Sequence, residues 1–423
     1  MNSSVAAYRP RGLSVLERPV ARRRRRASVV LTPEQTRARS IRRRVSAAWG
    51  LLFLNTVTYV PGGVLPLPSS IGKAITQGAL VLAILVALTV NPKIKVRPNV
   101  FLCLATLLAA ETLITALQPE HIGTVYRTFR LAEFVAALWL LTPWWGRRDL
   151  LLLRCHLRWL YVALGSVLVG LLVAPGHAFA QNGRLSGAIW PMVPPQVAQY
   201  AAVAAGTTIV LWLARLLNGR IALAGVTVAI ALLLLTHTRT ALIGLIAGIL
   251  VAGLSLFTVN ARVRRFFAVS GVVVSLGVIT AAGVVTTWLA RGQNPEGLTT
   301  LTGRTDFWAL VLNQPRTTFQ EIFGFGLSNS SVNGLPIDSN WLASYLMEGL
   351  FGVIVCAVIL AFLFVAAFFQ PHGVQRALAL FLVTYCTVAS YTEVSFTGVS
   401  TYLLHLTVAA SLLVMPLVGR RAA

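Results

Sequence analysis

The longest apolar stretch of the chain, residues 341–369, limits most strongly what the chain can fold into, and its only charged side chain is Glu348. About 20 consecutive apolar residues, folded as an α-helix, cross the hydrocarbon core of a bilayer. Charged residues make up 11% of this chain, whereas they make up about a quarter of a soluble protein. So few charges cannot solvate the outside of a globular protein, and we therefore predict an integral membrane protein.

Helix-length apolar segments recur along the whole chain, which predicts an all-α polytopic membrane protein with about twelve transmembrane helices. A transmembrane β-barrel is disfavoured, because its strands would be about ten residues long and would alternate apolar with polar side chains. The first segment is the weakest, since Asn55, Thr56 and Thr58 interrupt it. The predicted segments are residues 46–62, 74–91, 98–117, 124–142, 159–175, 196–214, 221–236, 240–258, 266–288, 341–369, 377–392 and 399–417.

Basic residues lie mostly in the connections between these segments, although a net charge of +24 would otherwise suggest nucleic-acid binding. If the N-terminus is cytoplasmic, every cytoplasmic connection carries Lys or Arg, as the positive-inside rule requires, and the C-terminus is cytoplasmic too. The basic residues left on the outer side are Lys73, Arg127, Arg130, Arg184, Arg239, Arg291, Arg304 and Arg316. Because outer arginines oppose the insertion bias, Arg184 and Arg304 are predicted to be functional.

Residues 1–45 are polar and Arg-rich, and we interpret them as a disordered cytoplasmic tail. A mitochondrial transit peptide is the alternative, since such peptides are also rich in Arg and poor in acidic residues. The four cysteines have no metal-ligand spacing and none lies in an outer connection, so neither a metal site nor a disulfide is predicted. No Gly-rich phosphate-binding motif lies on the cytoplasmic side, and no nucleotide or other cofactor is predicted.

Two outer connections are longer than the joining of two helices requires, and long loops without regular structure are often functional. The first, about residues 175–195, contains His177 and Arg184. The second, residues 289–340, is the largest polar segment between helices. The predicted organisation is therefore a tail (1–45), nine transmembrane helices (46–288), a large extracytoplasmic loop (289–340) and three further helices with a short cytoplasmic tail (341–423).

Short motifs in residues 180–355 follow one another on the outer side of the predicted helices. They are Arg184-x-x-Gly187 followed by Pro, Thr236-x-Thr-Arg239-Thr, Gly303-Arg304-x-x-x-Trp308, Gly324-x-Gly326, and Asp338-x-Asn340 followed by Glu348-Gly-Leu-Phe-Gly352. In this order and on this side they resemble the O-antigen ligase and polymerase family of bacterial envelope enzymes. The resemblance implies a glycosyltransferase of the bacterial cytoplasmic (inner) membrane that takes part in cell-envelope polysaccharide biosynthesis. Its donor would be a polyprenyl-pyrophosphate-linked saccharide, and its acceptor a hydroxyl of a glycan or glycolipid.

The resemblance also implies roles for individual residues. Arg184 and Arg304 match the outer-loop arginines that hold the leaving pyrophosphate without a metal, and Arg239 matches the hairpin arginine. Guanidinium groups suit this task because they bind phosphate oxygens bidentately and stay charged. The predicted catalytic residues are Asp338, Arg304 and Arg184, and the predicted substrate-binding residues are Arg239, Asn340, Glu348, Trp308 and His177.

A general base must take the proton of the acceptor hydroxyl. The family's ligases place a His just before the Asn at the end of the large loop, where this chain has Ser339, which favours a polymerase over a ligase. Asp338 is the first candidate base, and its alternative role is to cap the following helix. His177 is the second candidate base. Glu348 is expected to pair with an outer arginine or to hydrogen-bond between helices, and Trp308 is equally well explained as an interfacial anchor.

Two other classes of protein remain open. A membrane transporter or flippase of lipid-linked saccharides also fits twelve helices, but no repeat is evident between the two halves of the chain. A flippase is expected to carry charge within its central helices, whereas the predicted charges gather at the outer edge. A non-enzymatic membrane scaffold leaves the outer Arg, Asp and Gly residues without a purpose. An inverting, metal-independent glycosyltransferase is the prediction that accounts for these residues.

Overall fold

The computed structural model describes residues 32–414, except 58, 60–62, 65–67, 117–121, 147–148, 259, 281–303, 328–330, 333–334, 394–395 and 397. By its contacts the chain divides into two units, with the division after Ser40. Of the first unit, only residues 32–40 are described, and they begin helix α1, Pro33–Thr56. Its start is fixed by a reciprocal cap, in which the Gln35 N–H donates to Thr32 Oγ1 and the Thr32 N–H donates to Gln35 Oε1.

The predicted tail of residues 1–45 is therefore too long, because residues 33–45 are helical. The prediction relied on apolar periodicity, which is absent there, and overlooked the Thr32-x-x-Gln35 capping signature. Residues 1–31 lie outside the described residues.

The described secondary structure is helical apart from one short antiparallel hairpin, which confirms the all-α class. The hairpin pairs β1, Ser331–Val332, with β2, Leu335–Pro336. The remaining helices are α2 Ser69–Val90, α3 Val100–Ala116, α4 Ile122–Leu141, a 3-10 turn Thr142–Trp144, α5 Leu151–Val173, α6 Pro175–Ala178, α7 Pro194–Leu213, α8 Gly219–Leu235, α9 Arg239–Phe257, α10 Ala261–Thr280, α11 Arg304–Leu312, α12 Thr318–Phe323, α13 Asn340–Phe369, α14 Val374–Ala389 and α15 Thr401–Leu413.

A helix overlaps each of the predicted apolar segments. Among the described residues, five helices are long and apolar enough to cross a membrane: Ser70–Val90, Leu151–Val173, Pro194–Leu213, Arg239–Phe257 and Asn340–Phe369. Four further apolar helices are shorter: Val100–Ala116, Gly219–Leu235, Val374–Ala389 and Thr401–Leu413.

The predicted large loop contains more regular structure than its polar sequence suggested. Helices α11 and α12 and the β-hairpin lie within its described part. Helix α12 begins with a capping box, in which Thr317 and Gln320 bond each other's backbone N–H. Residues 289–303 of this predicted loop lie outside the described residues.

The connections between helices are hydrogen-bonded to one another in two groups, one at each end of the helices. At the first, which we call the site end, Val64 N–H donates to Ala188 O (2.8 Å) and Leu185 N–H donates to Leu235 O (3.0 Å). Also at the site end, the Thr240 and Thr392 hydroxyls are 2.5 Å apart. At the opposite end, the bonds are Gly146 N–H to Ser411 O, Asn260 Nδ2 to Leu213 O and Gln370 Nε2 to Leu413 O.

Helix α7 lies in the core of the protein, because 89% of its apolar stretch is buried. Its small residues allow a close approach, because a Cβ added at Gly206 would overlap the ring of Phe381 on α14. A Cβ at Gly248 on α9 would lie 2.8 Å from Cδ2 of the same ring. Small residues at the contacts of apolar helices let their backbones approach closely, as in membrane helix bundles.

A row of buried polar side chains crosses this core. Trp49 Nε1 donates to His156 Nδ1 (3.2 Å), and His156 Nε2 lies 2.7 Å from His405 Nδ1. The Nε2 of His405 lies 3.1 Å from the side-chain amide of Gln199. Because Nδ1 of His156 accepts, its proton is on Nε2, where it can be donated to His405, and the row links α1, α5, α15 and α7. The predicted fifth segment began at residue 159, too late to include His156.

Candidate functional site

A tight turn presents Arg184 at the site end. Asn182 and Gly183 have φ values of 52° and 68°, and Gln181 and Arg184 pair as an antiparallel bridge on either side of them. Asn-Gly is the dipeptide that favours positive φ at both centres of a two-residue hairpin. The Arg184 N–H donates to Gln181 O (3.0 Å), and the side chain leaves the turn toward the connection between α8 and α9.

Arg184 fastens this turn to residues 236–238. Its Nε donates to the Thr236 carbonyl (2.9 Å), and its Nη2 donates to Thr238 Oγ1 (3.0 Å). The structure therefore brings together two of the predicted site segments. Through its Nε and Nη2 donors, Arg184 holds the α8–α9 connection against the turn. Its predicted role as a catalytic phosphate ligand stays a prediction.

Arg239 is the first residue of α9, and two of its guanidinium nitrogens have no hydrogen-bond partner among the described residues. Its Nε and Nη2 atoms are shielded from solvent and make no hydrogen bond. Thr238, the N-cap of α9, makes no side-chain capping bond, because its hydroxyl is engaged with Arg184 and Thr236 O. The N-terminus of a helix carries unsatisfied N–H groups and a partial positive charge, which together attract anions. The unbonded guanidinium of Arg239 thus lies beside a helix terminus whose side-chain cap is missing.

Asn340, predicted to bind substrate, is instead fully buried. Its Oδ1 accepts from the Phe396 N–H (2.7 Å), and its own N–H donates to Ser390 O (3.0 Å). Trp341 Nε1 donates to Ser390 Oγ (3.1 Å). These bonds hold the connection between α14 and α15 against the start of α13, and the predicted substrate-binding role of Asn340 stays a prediction. The sequence pattern could not distinguish a buried amide that closes a turn from an exposed one.

Asp338 lies half-buried between β2 and α13. The N-cap of α13 is Ser339, and its side chain makes no capping bond. The alternative in which Asp338 caps this helix therefore stays open beside its catalytic role. Its role as general base stays a prediction.

Helix α13 is broken at Gly349, where φ is 65° and ψ is −161°. A break of this kind removes the helical partners of the carbonyl groups in the preceding turn. These carbonyls find other donors: Arg316 Nη1 bonds Tyr345 O (3.1 Å), Phe325 N–H bonds Leu346 O (2.8 Å), and Gly326 N–H bonds Met347 O (2.8 Å).

The two motifs that meet at the break need glycine. Gly324 has φ 73°, and a Cβ there would lie 2.5 Å from Met347 O. A Cβ on Gly349 would overlap the carbonyl of Ile322. The Gly324-x-Gly326 and Glu348–Gly352 motifs, which were separate in the sequence, therefore form one contact between two backbones.

Arg316 clamps the same contact. Its guanidinium stacks over Tyr345 (4.0 Å to the ring centroid) and also bonds Val311 O (3.1 Å). Burial lowers the pKa of the Arg316 guanidinium, although arginine begins so high that it keeps its charge at neutral pH. Another outer arginine, Arg127, donates from Nη1 to Leu327 O (2.7 Å). Both arginines thus hold residues 311–327 against the helices.

Glu348 lies at the break, fully buried, and Glu111 of α3 is only 3% exposed. All four of their carboxyl oxygens lack a hydrogen-bond partner, and the two groups interact electrostatically. The expected pairing of Glu348 with an arginine, or its hydrogen bond between helices, is therefore wrong. An unpaired buried carboxylate is costly, so this pair needs a proton or a cation to accompany it.

The remaining predicted residues are placed less completely. Arg304 begins α11, but its side chain lies outside the described residues. Trp308, on the same helix, is half-buried, and its indole Nε1 makes no hydrogen bond. His177 is exposed on α6. In the described part of the chain, no group of three or more His, Cys, Asp or Glu residues has the arrangement of a metal site.

Comparison of the chain with models of known protein families finds no match, and comparison with curated proteins finds no significant match. The described residues form an all-helical chain with several helices that are long and apolar enough for a bilayer.

Proposed function

We propose that this chain is an inverting, metal-independent glycosyltransferase of a bacterial cytoplasmic membrane that uses a polyprenyl-pyrophosphate-linked saccharide. In this proposal the chain has twelve transmembrane helices, both termini are cytoplasmic, and the site end faces away from the cytosol. The excess of Lys and Arg in the connections of the opposite end supports that orientation.

The observation that carries the proposal is Arg239 beside the uncapped N-terminus of α9. This position offers a fixed positive charge and open backbone donors, which suit a diphosphate better than a neutral sugar. The motif containing Arg239 is also one of those that resemble the O-antigen ligase and polymerase family. A lipid-linked diphosphate would enter such a position from the surrounding bilayer.

The proposed reaction is a displacement at the anomeric carbon. The acceptor hydroxyl oxygen forms the new bond from one face while the bond to the pyrophosphate oxygen breaks on the other. Arg239, together with Arg304, stabilises the charge that develops on the leaving pyrophosphate. Asp338 takes the proton of the acceptor hydroxyl. Ser339, where the family's ligases place a His, favours a growing glycan as acceptor, and hence a polymerase.

The test is chain elongation by purified protein in proteoliposomes that contain a polyprenyl-pyrophosphate-linked oligosaccharide. Arg239→Gln is expected to slow elongation about 10- to 100-fold, because a hydrogen bond to a charged group contributes about 1.5–3 kcal/mol. Asp338→Asn is expected to abolish it, and a metal chelator is expected to leave it unchanged. Lys73→Gln, which removes an exposed cation near the start of α2 at the same end, is the matched control. Elongation at the wild-type rate by Arg239→Gln would reject the proposal.

A carrier or flippase of lipid-linked saccharides is the second candidate, and the Glu111–Glu348 pair favours it specifically. Ionisable groups within apolar helices are typical of ion and substrate pathways, and the sequence analysis expected a flippase to have such groups. Glu348→Gln would stop the movement of a labelled lipid-linked saccharide between leaflets if the chain is a cation-coupled carrier. Glu321→Gln, an exposed carboxylate on α12, is its control. The transferase is favoured if the wild type does not move the labelled lipid between leaflets and Glu348→Gln still transfers the saccharide.

A further inference from the structure

A crevice with a volume of about 690 Å³ lies between α5, α7 and α8, at the end opposite to the site end. Ligand cavities commonly have volumes of about 300–1,000 Å³. None of the residues that take part in the proposed transfer lines it.

The mouth of the crevice is basic. Arg154 and Arg158 line it from successive turns of α5, and both side chains are exposed. Among the described residues that line the crevice, none is acidic. The nearby carboxylate of Asp149 is bonded to Arg42 (3.0 Å) instead. The two guanidinium groups are therefore available to an external anion.

The walls of the crevice are apolar and include Leu157, Leu211 and Leu217. Ile221, which also lines it, is 62% exposed. Such an apolar wall beside two cations is unsuited to a soluble anion such as free phosphate, because the exposed apolar surface favours contact with hydrocarbon.

Deeper in the crevice, the Tyr161 and Thr208 hydroxyls are hydrogen-bonded to each other (2.8 Å). Tyr161 reaches this position because Gly225 has no side chain, since a Cβ there would lie 2.8 Å from the tyrosine hydroxyl. From Arg154 to Tyr161, α5 rises about 10 Å. The apolar side chains of Leu157 and Leu211 lie between these hydroxyls and the ends of α5 and α7 at the mouth, so the crevice offers cations at its mouth and apolar contacts further in.

We propose that this crevice binds one anionic phospholipid of the adjoining leaflet, with its phosphate between Arg154 and Arg158 and an acyl chain along the apolar walls. Basic crevices between membrane helices are suited to anionic headgroups. Each arginine is expected to favour the anionic lipid over a zwitterionic one about fivefold. The inference does not depend on the proposed function, because it concerns other residues.

The test is native mass spectrometry of the full chain in detergent, with phosphatidylglycerol or phosphatidylcholine of identical acyl chains. The wild type should retain one phosphatidylglycerol in preference to phosphatidylcholine. Replacing both arginines, Arg154→Gln with Arg158→Gln, should reduce that preference about 25-fold. The control is Arg264→Gln with Arg265→Gln, two exposed arginines outside the crevice, and it should keep the preference.

A variant that fills the crevice separates binding from general charge. Ala224 is exposed and lines the crevice, so Ala224→Trp should block both lipids without disturbing the core. Thermal unfolding of each variant without added lipid should match the wild type. The proposal is overturned if the double Arg154/Arg158 variant keeps the preference. It is equally overturned if the Arg264/Arg265 control loses its preference for phosphatidylglycerol to the same extent. Normal binding of phosphatidylglycerol by Ala224→Trp would overturn it as well.

Discussion

Replacing Gly349 by Ala tests the broken helix most severely. At φ 65° and ψ −161°, a residue with a side chain is strained by about 1–3 kcal/mol. The added Cβ would also overlap the Ile322 carbonyl. If residues 322–326 move away, the bonds to Leu346 O and Met347 O are lost, at about 0.5–1.5 kcal/mol each. Together these effects are expected to lower the free energy of unfolding by about 2–6 kcal/mol.

The assay is denaturant unfolding of purified Gly349→Ala in detergent, followed by intrinsic tryptophan fluorescence. Gly271→Ala on α10 is the matched control, because a Cβ there meets no atom within 4 Å. In a helix, this control should be neutral or should stabilise by up to about 1 kcal/mol. If Gly349→Ala unfolds at the same denaturant concentration as the wild type, the break is not held by the contact described.

Three further substitutions test individual contacts. Asn340→Ala should destabilise the fold by about 1–3 kcal/mol, because the buried Phe396 N–H loses its acceptor; an unchanged unfolding midpoint would show that the amide is dispensable. His405→Leu leaves His156 and Gln199 without their partner, and each loss should lower the free energy of unfolding by about 1–3 kcal/mol, again measured by denaturant unfolding. Arg184→Lys keeps the charge but cannot hold Thr236 and Thr238 together as the guanidinium does, so amide hydrogen exchange in the α8–α9 connection should become faster. Exchange at the wild-type rate would mean that Arg184 does not position this connection.

Much of the fold follows from local chemistry that the sequence displays. The apolar segments coincide with helices because a long apolar run can satisfy its backbone groups only within itself in a bilayer. The Asn182-Gly183 turn that aims Arg184 is a two-residue signal of the same local kind. Arg184 was predicted to be functional from the sequence, but the Asn182-Gly183 turn before it was not predicted. The same is true of the capping pair at Thr32 and Gln35.

What could not be predicted depends on contacts between distant parts of the chain. Glu348 was expected to meet an arginine, but the packing of α13 against α3 puts Glu111 beside it. Asn340 was expected to face substrate, yet the α14–α15 connection buries it. The bonds from Arg184 to residues 236–238, and the lack of bonds at Arg239, also depend on tertiary packing. The spacing of residues in the sequence does not predict which arginine side chain forms hydrogen bonds within the protein.

The most direct measurement for the central claim is the affinity of the chain for polyprenyl pyrophosphate in lipid nanodiscs, compared with the affinity for the uncharged polyprenol. The wild type should prefer the pyrophosphate, and Arg239→Gln should weaken its binding about 10- to 100-fold. Arg239→Lys, which keeps the charge without the planar fork, should fall between them. Lys73→Gln should bind as the wild type does. Equal affinity of Arg239→Gln and the wild type for polyprenyl pyrophosphate would contradict the account.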